Sequence, residues 1–292
     1  MLKGLAHALG NARHDDFHLV RTAREWASVF SVEGPHGETV RVLDVGGAYQ
    51  SATYLGKRRY EPVFEYYRSF DAAFSCGIPV RRALMIGGGG CAWPKHAAAT
   101  RRDVRIDVLE EDPRIIDIAR RFFFTGELER AGALRLIAAE GRSYLERTER
   151  TYDAILNDAF RGAEPARSLA TVEAARAIAR RLNPGGVYLG NVVSRDGGAD
   201  LSFLRDAVAT LREAFVNVQV VPCPDIDYSD EANFLVAASD GPIDLEGALP
   251  YDGDFPGTAR RVGHRTMRTG CRVVRARRSR QSRSAVPGKS PS

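Results

Sequence analysis

The chain has 292 residues, enough for one large or two modest domains, and its make-up, 44% apolar and 27% charged, sets aside fibrous and fully disordered classes. No run approaches the roughly 18 apolar residues of a membrane-spanning helix, which sets that class aside as well. The net charge of +5 is uneven: residues 264–292 hold eight Arg, one Lys and no acid, and removing those nine positives leaves −4 for residues 1–263, so the basicity that would suggest nucleic-acid binding belongs to a tail and not to the core.

Residues 1 to about 24 read as a short helix or loose arm. Arg13, His14, Asp15 and Asp16 leave no visible secretory signal. Cys76, Cys91, Cys223 and Cys271 are scattered without ligand spacing, so reduced thiols in a cytoplasmic protein are expected, and no metal. Short β-branched or alternating runs follow at Trp26 to Val32, Thr39 to Asp44 and Ala48 to Tyr54, punctuated by Pro35-His36-Gly37 and Gly46-Gly47. They predict a small antiparallel β region. Tyr60 to Phe74 carries Phe64, Tyr67, Phe70 and Phe74 at helical spacing, and this stripe reads as core.

From Arg82 the pattern alternates. Strands are predicted at Ala83–Ile86, Val104–Glu110, Leu134–Ala138, Tyr152–Asn157 and Val187–Val193. Helices are predicted at Pro94–Thr100, Pro113–Phe123, Arg142–Arg147, Thr171–Leu182 and Leu201–Phe215. Asp112-Pro113 is a helix start, and Asn183-Pro184-Gly185-Gly186 a helix stop. Such alternation makes a mostly parallel sheet with helices on both faces. Val216–Val221 and Asn233–Ala238 have no helix between them and predict an antiparallel hairpin closing the sheet. The expected fold class is therefore α/β, a Rossmann-like, mostly parallel seven-stranded sheet with a closing antiparallel hairpin, preceded by the small antiparallel β region. Expected divisions are 1–80 (arm, small β region and connecting helix), 81–262 (nucleoside-binding domain) and 263–292. That last segment has too little apolar surface to fold and is expected to be a disordered basic tail. A passive tail or a non-native read-through is the plain reading of it, beside a nucleic-acid or lipid contact.

The central stretch is Ala83-Leu84-Met85-Ile86 running into Gly87-Gly88-Gly89-Gly90, then Cys91, Ala92, Trp93 and Pro94. Glycines let a ligand approach the main chain, and a helix starting after them aims free N–H groups at it. Glu110 lies 20 residues after Gly90 at the end of the next predicted strand, where an acid meets ribose hydroxyls in a nucleotide-binding βαβ unit. Gly87, Gly88, Gly89 and Glu110 thus read as a nucleoside site. The competing reading is a structural turn followed by a solvated acidic helix start.

Several ordered segments resemble the spermidine synthase (polyamine aminopropyltransferase) family, which has the class I S-adenosylmethionine-dependent methyltransferase fold. Leu43-Asp44-Val45-Gly46-Gly47-Ala48-Tyr49-Gln50 is similar to its "LDG…Q" strand, and Val63-Phe64-Glu65 falls at its "Y-[HQ]-E" helix. Gly87 to Gly90 falls at "GGGDGG", and Glu110-Glu111-Asp112-Pro113 at "E-I-D-P". Glu140-Gly141-Arg142-Ser143-Tyr144-Leu145 resembles "D-G-R-x-F-L", and Tyr152-Asp153-Ala154-Ile155-Leu156-Asn157-Asp158 resembles "Y-D-V-I-x-x-D". The resemblance covers roughly residues 25–240. It implies a donor, S-adenosylmethionine or its decarboxylated form, held by Gln50, the glycines, Glu110, Glu111, Glu140 and Gly141. Glu110 would take both ribose hydroxyls and Glu140 the adenine amino group. It implies Asp158 as the catalytic base or orienting acceptor for an amine, against the alternative of a simple loop cap, and Glu65 at the acceptor. It implies a small-molecule acceptor and is compatible with a homodimer.

Departures bear on the chemistry. The acid of "GGGDGG" is Gly90 here, the second acid of the family's "D-x-x-D-P" gate falls on Arg161, and the helix motif's Tyr and His or Gln fall on Val63 and Phe64. Loss of the acid at Gly90, which would select the decarboxylated donor, turns the expectation toward methyl transfer from S-adenosylmethionine to an unknown acceptor, and the charge reversal at Arg161 disfavours an ordinary diamine as that acceptor. Aminopropyl transfer is the alternative, and a non-catalytic nucleoside-binding module a third reading. A nicotinamide dehydrogenase also fits the spacing of Gly87, Gly89 and Ala92, but not the closing hairpin or the Glu140 and Asp158 segments.

Overall fold

The computed structural model describes residues 16–34, 37–161, 164–194, 200–223, 232–249, 257 and 259–262. The predicted tail and the first fifteen residues of the predicted arm lie outside them. Thirteen strands are described. Four form the first sheet: β1 (His18–Arg21), β2 (Trp26–Glu33), β3 (Thr39–Val45) and β4 (Ala48–Tyr54), in that order and all antiparallel. β1 falls where an arm or helix was expected. Its alternating half-buried and exposed residues pair with Trp26–Val29, so the period is 2 and not 3.6. Gly46 and Gly47, both at positive φ, close the β3–β4 hairpin as a two-residue turn that a β-branched residue could not make.

The expected helix over 60–74 is shorter: α1 (Tyr66–Ser69) continues as a 3₁₀ turn through Phe74. Pro62 keeps the residue before it out of the helical region, which delays the start. The alternating part then follows as β5 (Arg82–Ile86), α2 (Ala92–Thr100), β6 (Arg105–Glu110), α3 (Pro113–Phe122), α4 (Thr125–Arg130), β7 (Leu134–Ala138), α5 (Gly141–Arg147) and β8 (Tyr152–Asn157). A two-residue ladder joins β9 (Phe160–Arg161) to β10 (Glu164–Pro165). The chain ends its described course with α6 (Val172–Ala179), β11 (Leu182–Ser194), α7 (Ser202–Arg212), β12 (Asn217–Cys223) and β13 (Ala232–Ser239).

The second sheet has seven strands in the order β12-β13-β11-β8-β5-β6-β7. β11, β8, β5, β6 and β7 are parallel, and β13 is antiparallel to both β11 and β12. The predicted α/β class, seven strands and closing hairpin are what the chain adopts. Asn183-Pro184-Gly185-Gly186 does interrupt the chain, but within β11, as a register break between Leu182 and Val187.

One face of this sheet packs on α2 and on the first sheet. Phe30, Val42, Phe70, Met85, Trp93 and Leu156 share that core. The other face packs on α5, α6 and α7 through Leu84, Leu145, Ile178, Leu204 and Val236. A smaller core joins Val29 and Leu43 to Ile115, Ile118 and Phe122 of α3. Among the described residues no helix is long and apolar enough to cross a membrane.

Candidate active site

The carboxyl ends of β5, β6 and β8 converge on the glycine turn. Gly87 has φ +94°, and a Cβ there would lie 2.5 Å from the carbonyl oxygen of Asp158, so only glycine lets β5 and β8 end this close together. Gly88 lies against Glu110, with 3.1 Å from a would-be Cβ to the Glu110 Cβ. Glu110 accepts the Gly89 N–H on Oε2 at 3.0 Å and the Asp112 N–H on Oε1 at 3.1 Å. The Gly88 N–H also contributes a backbone hydrogen bond to this carboxylate, and the acceptor positions a carboxylate still has beyond these suit a hydroxyl on a ligand. Burial pushes the Glu110 pKa above the ordinary carboxylate value, against the backbone hydrogen bonds that pull it down. From the other side β4 closes in: the Gln50 carbonyl oxygen is 3.6 Å from a would-be Cβ at Gly89.

Asp112 and Pro113 start α3 as expected, the Asp112 carboxylate accepting the Arg114 N–H at 2.9 Å. Glu140 caps α5. Its oxygens accept from the N–H groups of Arg142 (3.2 Å) and Ser143 (2.8 Å) and from the Ser168 hydroxyl (3.0 Å). Burial pushes its pKa up, and those hydrogen bonds together hold it lower still than the ordinary value. Gly141 has a packing reason, since a Cβ would meet the Ile86 side chain at 2.5 Å.

Asp158 follows β8 and donates its N–H to the Ile86 carbonyl at 2.9 Å. Its Oδ1 accepts from Asn191 Nδ2 at 2.8 Å and its Oδ2 from the Tyr66 hydroxyl at 3.3 Å. Burial lifts its pKa to about 6, against the hydrogen bonds from Asn191, Tyr66 and Tyr67. The Tyr66 and Tyr67 rings stack at 4.2 Å, and burial together with the Asp158 charge raises both hydroxyls, Tyr66 well above the ordinary value. Asp158 is thus a carboxylate with a raised affinity for a proton, held in one orientation by Asn191, Tyr66 and Tyr67.

Two predicted positions, Glu65 and Glu111, turn away from this centre. Glu65 is exposed and pairs with Arg68 at 3.3 Å one turn on. Glu111 is exposed and pairs with Arg24 at 3.1 Å. Arg161 has its backbone in the β9–β10 ladder, while its side chain lies outside the described residues. Two residues that the sequence reading passed over meet Asp158 instead. Tyr66, three residues beyond Val63, supplies one hydroxyl. Asn191 is a lone amide in the apolar run Val187-Tyr188-Leu189-Gly190-Asn191-Val192-Val193, a signal that could have been read. Gly90 is walled in: a Cβ would fall 2.6 Å from the Phe123 ring and 2.7 Å from the Ser51 hydroxyl, so no acidic side chain fits at this position, and the buried Lys95 ammonium lies 5.6 Å from the centre of the same Phe123 ring. Among the described residues no group of three or more His, Cys, Asp or Glu gathers as metal ligands.

Residues 75–238 match the family model described as the spermine/spermidine synthase domain. Spermidine synthase 1 of Datura stramonium is 28% identical over 222 residues, covering 70% of this chain and 71% of that one. A crystal structure of a probable spermidine synthase from Corynebacterium glutamicum superposes with a TM-score of 0.69 at 20% identity, over 86% of this chain and 98% of that one. Human methyltransferase-like protein 13, in complex with SAH, superposes with a TM-score of 0.50 at 20% identity, over 64% of this chain and 85% of that one. These likenesses establish the methyltransferase-like fold.

Proposed function

The chain belongs to the spermine/spermidine synthase family, and on that footing we propose that it is a transferase moving an aminopropyl group from decarboxylated S-adenosylmethionine to an amine acceptor. The observation that carries the reading is Asp158, a buried carboxylate with its pKa lifted to about 6, fixed by Tyr66 and Asn191 beside the glycine turn. The sequence alone points to methyl transfer; the relatives named spermidine synthase weigh toward aminopropyl transfer.

The donor supplies a sulfonium whose adjacent carbon is open to attack, and the chain's residues do the rest. Glu110 offers its remaining acceptor positions to the ribose hydroxyls, and the Gly88–Gly89 main chain lies against the sugar. Glu140 orders the start of α5 beside the base. Asp158 takes a proton from the acceptor's ammonium and keeps the freed lone pair aimed at the donor carbon. The new N–C bond forms as the C–S bond breaks, the electron pair returns to sulfur as a neutral thioether, and the proton leaves through Asp158 to water. Tyr66 and Asn191 hold the carboxylate in place during the transfer. Arg161 is proposed to select against a second ammonium on the acceptor, and Glu65 and Glu111 to act only at the rim.

A specific observation favours the second reading, methyl transfer from S-adenosylmethionine: the walled-in Gly90 position has no room for an acid that would meet a donor ammonium. The experiment separates the two. The protein is incubated with decarboxylated S-adenosylmethionine and a panel of mono- and diamines, and methylthioadenosine is measured by chromatography. Turnover that disappears in Asp158→Asn supports the proposal. Binding of S-adenosylmethionine alone, with no methylthioadenosine from any amine, overturns it in favour of methyl transfer. Glu110→Ala is expected to weaken binding of either donor by the loss of two hydrogen bonds to a charged group, roughly 1.5–3 kcal/mol each. Unchanged affinity would remove Glu110 from the site.

A further inference from the structure

β5, β6, β7 and β8 run parallel, so the edge opposite the glycine turn gathers their first residues. A cleft of about 720 Å³ opens there, lined by Arg81, Arg82, Arg105, Arg135 and Arg150. The volume is that of a small-molecule site. Its opposing acids are Asp103, Asp107 and Asp153, so five positive charges face three negative ones. This stands against a net charge of −4 over residues 1–263.

Two of the three acids are already engaged. Buried Asp107 accepts both forks of the Arg135 guanidinium, at 2.9 and 2.6 Å, and the Tyr152 hydroxyl at 2.9 Å, and it also pairs with the Arg150 guanidinium at 3.9 Å. Asp153 accepts the Arg81 and Arg82 N–H groups, each at 2.9 Å, and Asn183 Nδ2 at 2.6 Å. Arg105 turns Nη1 to the carbonyls of Arg102 and Val104. The guanidinium groups of Arg81 and Arg82 are exposed and have no ion-pair partner within 4.0 Å among the described residues. Like charges gathered in this way repel one another, and a bound polyanion relieves that repulsion. The planar fork of arginine matches phosphate oxygens two at a time.

We propose that this arginine cleft binds a small molecule bearing a di- or triphosphate group, at a site distinct from the nucleoside site at the other end of the same strands. β5 alone, from Arg82 to Ile86, sets the two roughly 13 Å apart.

The test is calorimetric titration of the full chain with inorganic pyrophosphate and, separately, with ADP, at constant ionic strength near 0.15 M. Saturable binding with a dissociation constant below about 1 mM is expected, weakened at least about tenfold in Arg81→Glu/Arg82→Glu. Methylthioadenosine, an uncharged nucleoside read at the other site, should bind both proteins alike. Equal affinity for pyrophosphate and ADP assigns the cleft to the phosphate group itself; tighter ADP binding that the double variant abolishes assigns it to a nucleotide, and either supports the proposal. No binding of either ligand at millimolar concentration overturns it, and so does binding that the double variant leaves unchanged. If the double variant does not fold, Arg81→Gln and Arg82→Gln are read singly in the same way.

Discussion

Two buried ionisable groups carry opposite lessons at the scale of single residues. Asp158 has its pKa raised from 3.8 to about 6 by burial, against three hydrogen-bond donors. Its folded pKa lies above its unfolded one, so the native state holds the extra proton between about pH 4 and 6. The ionised carboxylate therefore subtracts from stability above about pH 6, and the penalty fades as pH falls toward 4. Activity runs the other way, because only the ionised form can accept a proton: the rate should fall as pH drops through about 6. Asp158→Asn is expected to lose about 10²–10⁴ in turnover while melting a few degrees higher at pH 8, measured by steady-state assay and calorimetry. A variant that loses activity and also melts lower would mark Asp158 as structural. Lys95 is the mirror case. It is 2% exposed, donates to the Thr53 hydroxyl at 3.0 Å, and burial lowers its pKa from 10.5 to about 7. Here the unfolded chain binds more protons between pH 7 and 10.5, so this residue's contribution makes stability rise with pH across that window. Lys95→Met keeps the volume, removes the desolvated charge, and should raise the urea midpoint at pH 7 with less gain at pH 10. An equal gain at both values would mean that packing, not charge, is what the substitution changed.

Elements were legible in proportion to how locally their causes act. β5, β6, β7 and β8 are short apolar runs bounded by Gly, Pro or charged residues, and their predicted ends lie within a residue of the observed ones. α4 was missed because six residues with Gly126 inside carry little propensity of their own; it forms between α3 and β7, with Leu128 packed on the core. β1 was missed because what holds it extended is its pairing with β2 and the contacts of His18 and Val20 with the core around α3, none of which a local pattern encodes. The site divides in the same way. The glycines, Glu110 and Asp158 announce themselves by spacing along the chain, whereas Tyr66 and Asn191 reach Asp158 across 92 and 33 residues of sequence, and no local pattern encodes that meeting. The glycine turn is the element on which the rest depends. Gly87→Ala asks a residue with a Cβ to hold φ +94° and to approach the Asp158 carbonyl at 2.5 Å, so β5 and β8 must part. We expect nucleoside affinity to fall at least about tenfold and the melting temperature to drop by several degrees. Wild-type affinity in this variant would mean that the turn is not the nucleoside cradle.

At the scale of the whole molecule, the two sheets are tied by shared side chains. Phe30 and Val42 of the first sheet, Phe70 after α1, Trp93 of α2 and Met85 of β5 lie in one core, and Leu43 of β3 meets Phe122 of α3 in another. Separating residues 16–80 from the rest would expose both surfaces at once, so the division into 1–80 and 81–262 is proposed to be one of topology and not of stability. The same reasoning excludes the tail, since residues 263–292 carry nine basic residues and few apolar ones to add to either core. Calorimetry of the full chain and of a chain ending at Val262 tests both points. Each is expected to melt in a single transition with equal calorimetric and van't Hoff enthalpies, and the two midpoints should agree within about 2 °C. Phe70→Ala, which empties a site of 0% exposure at the junction, should then lower the whole transition by about 3–5 kcal/mol of stability without splitting it. Two resolved transitions in the full chain would instead show that the first sheet folds by itself. A midpoint that falls when the tail is removed would show that those basic residues dock on the mildly acidic body.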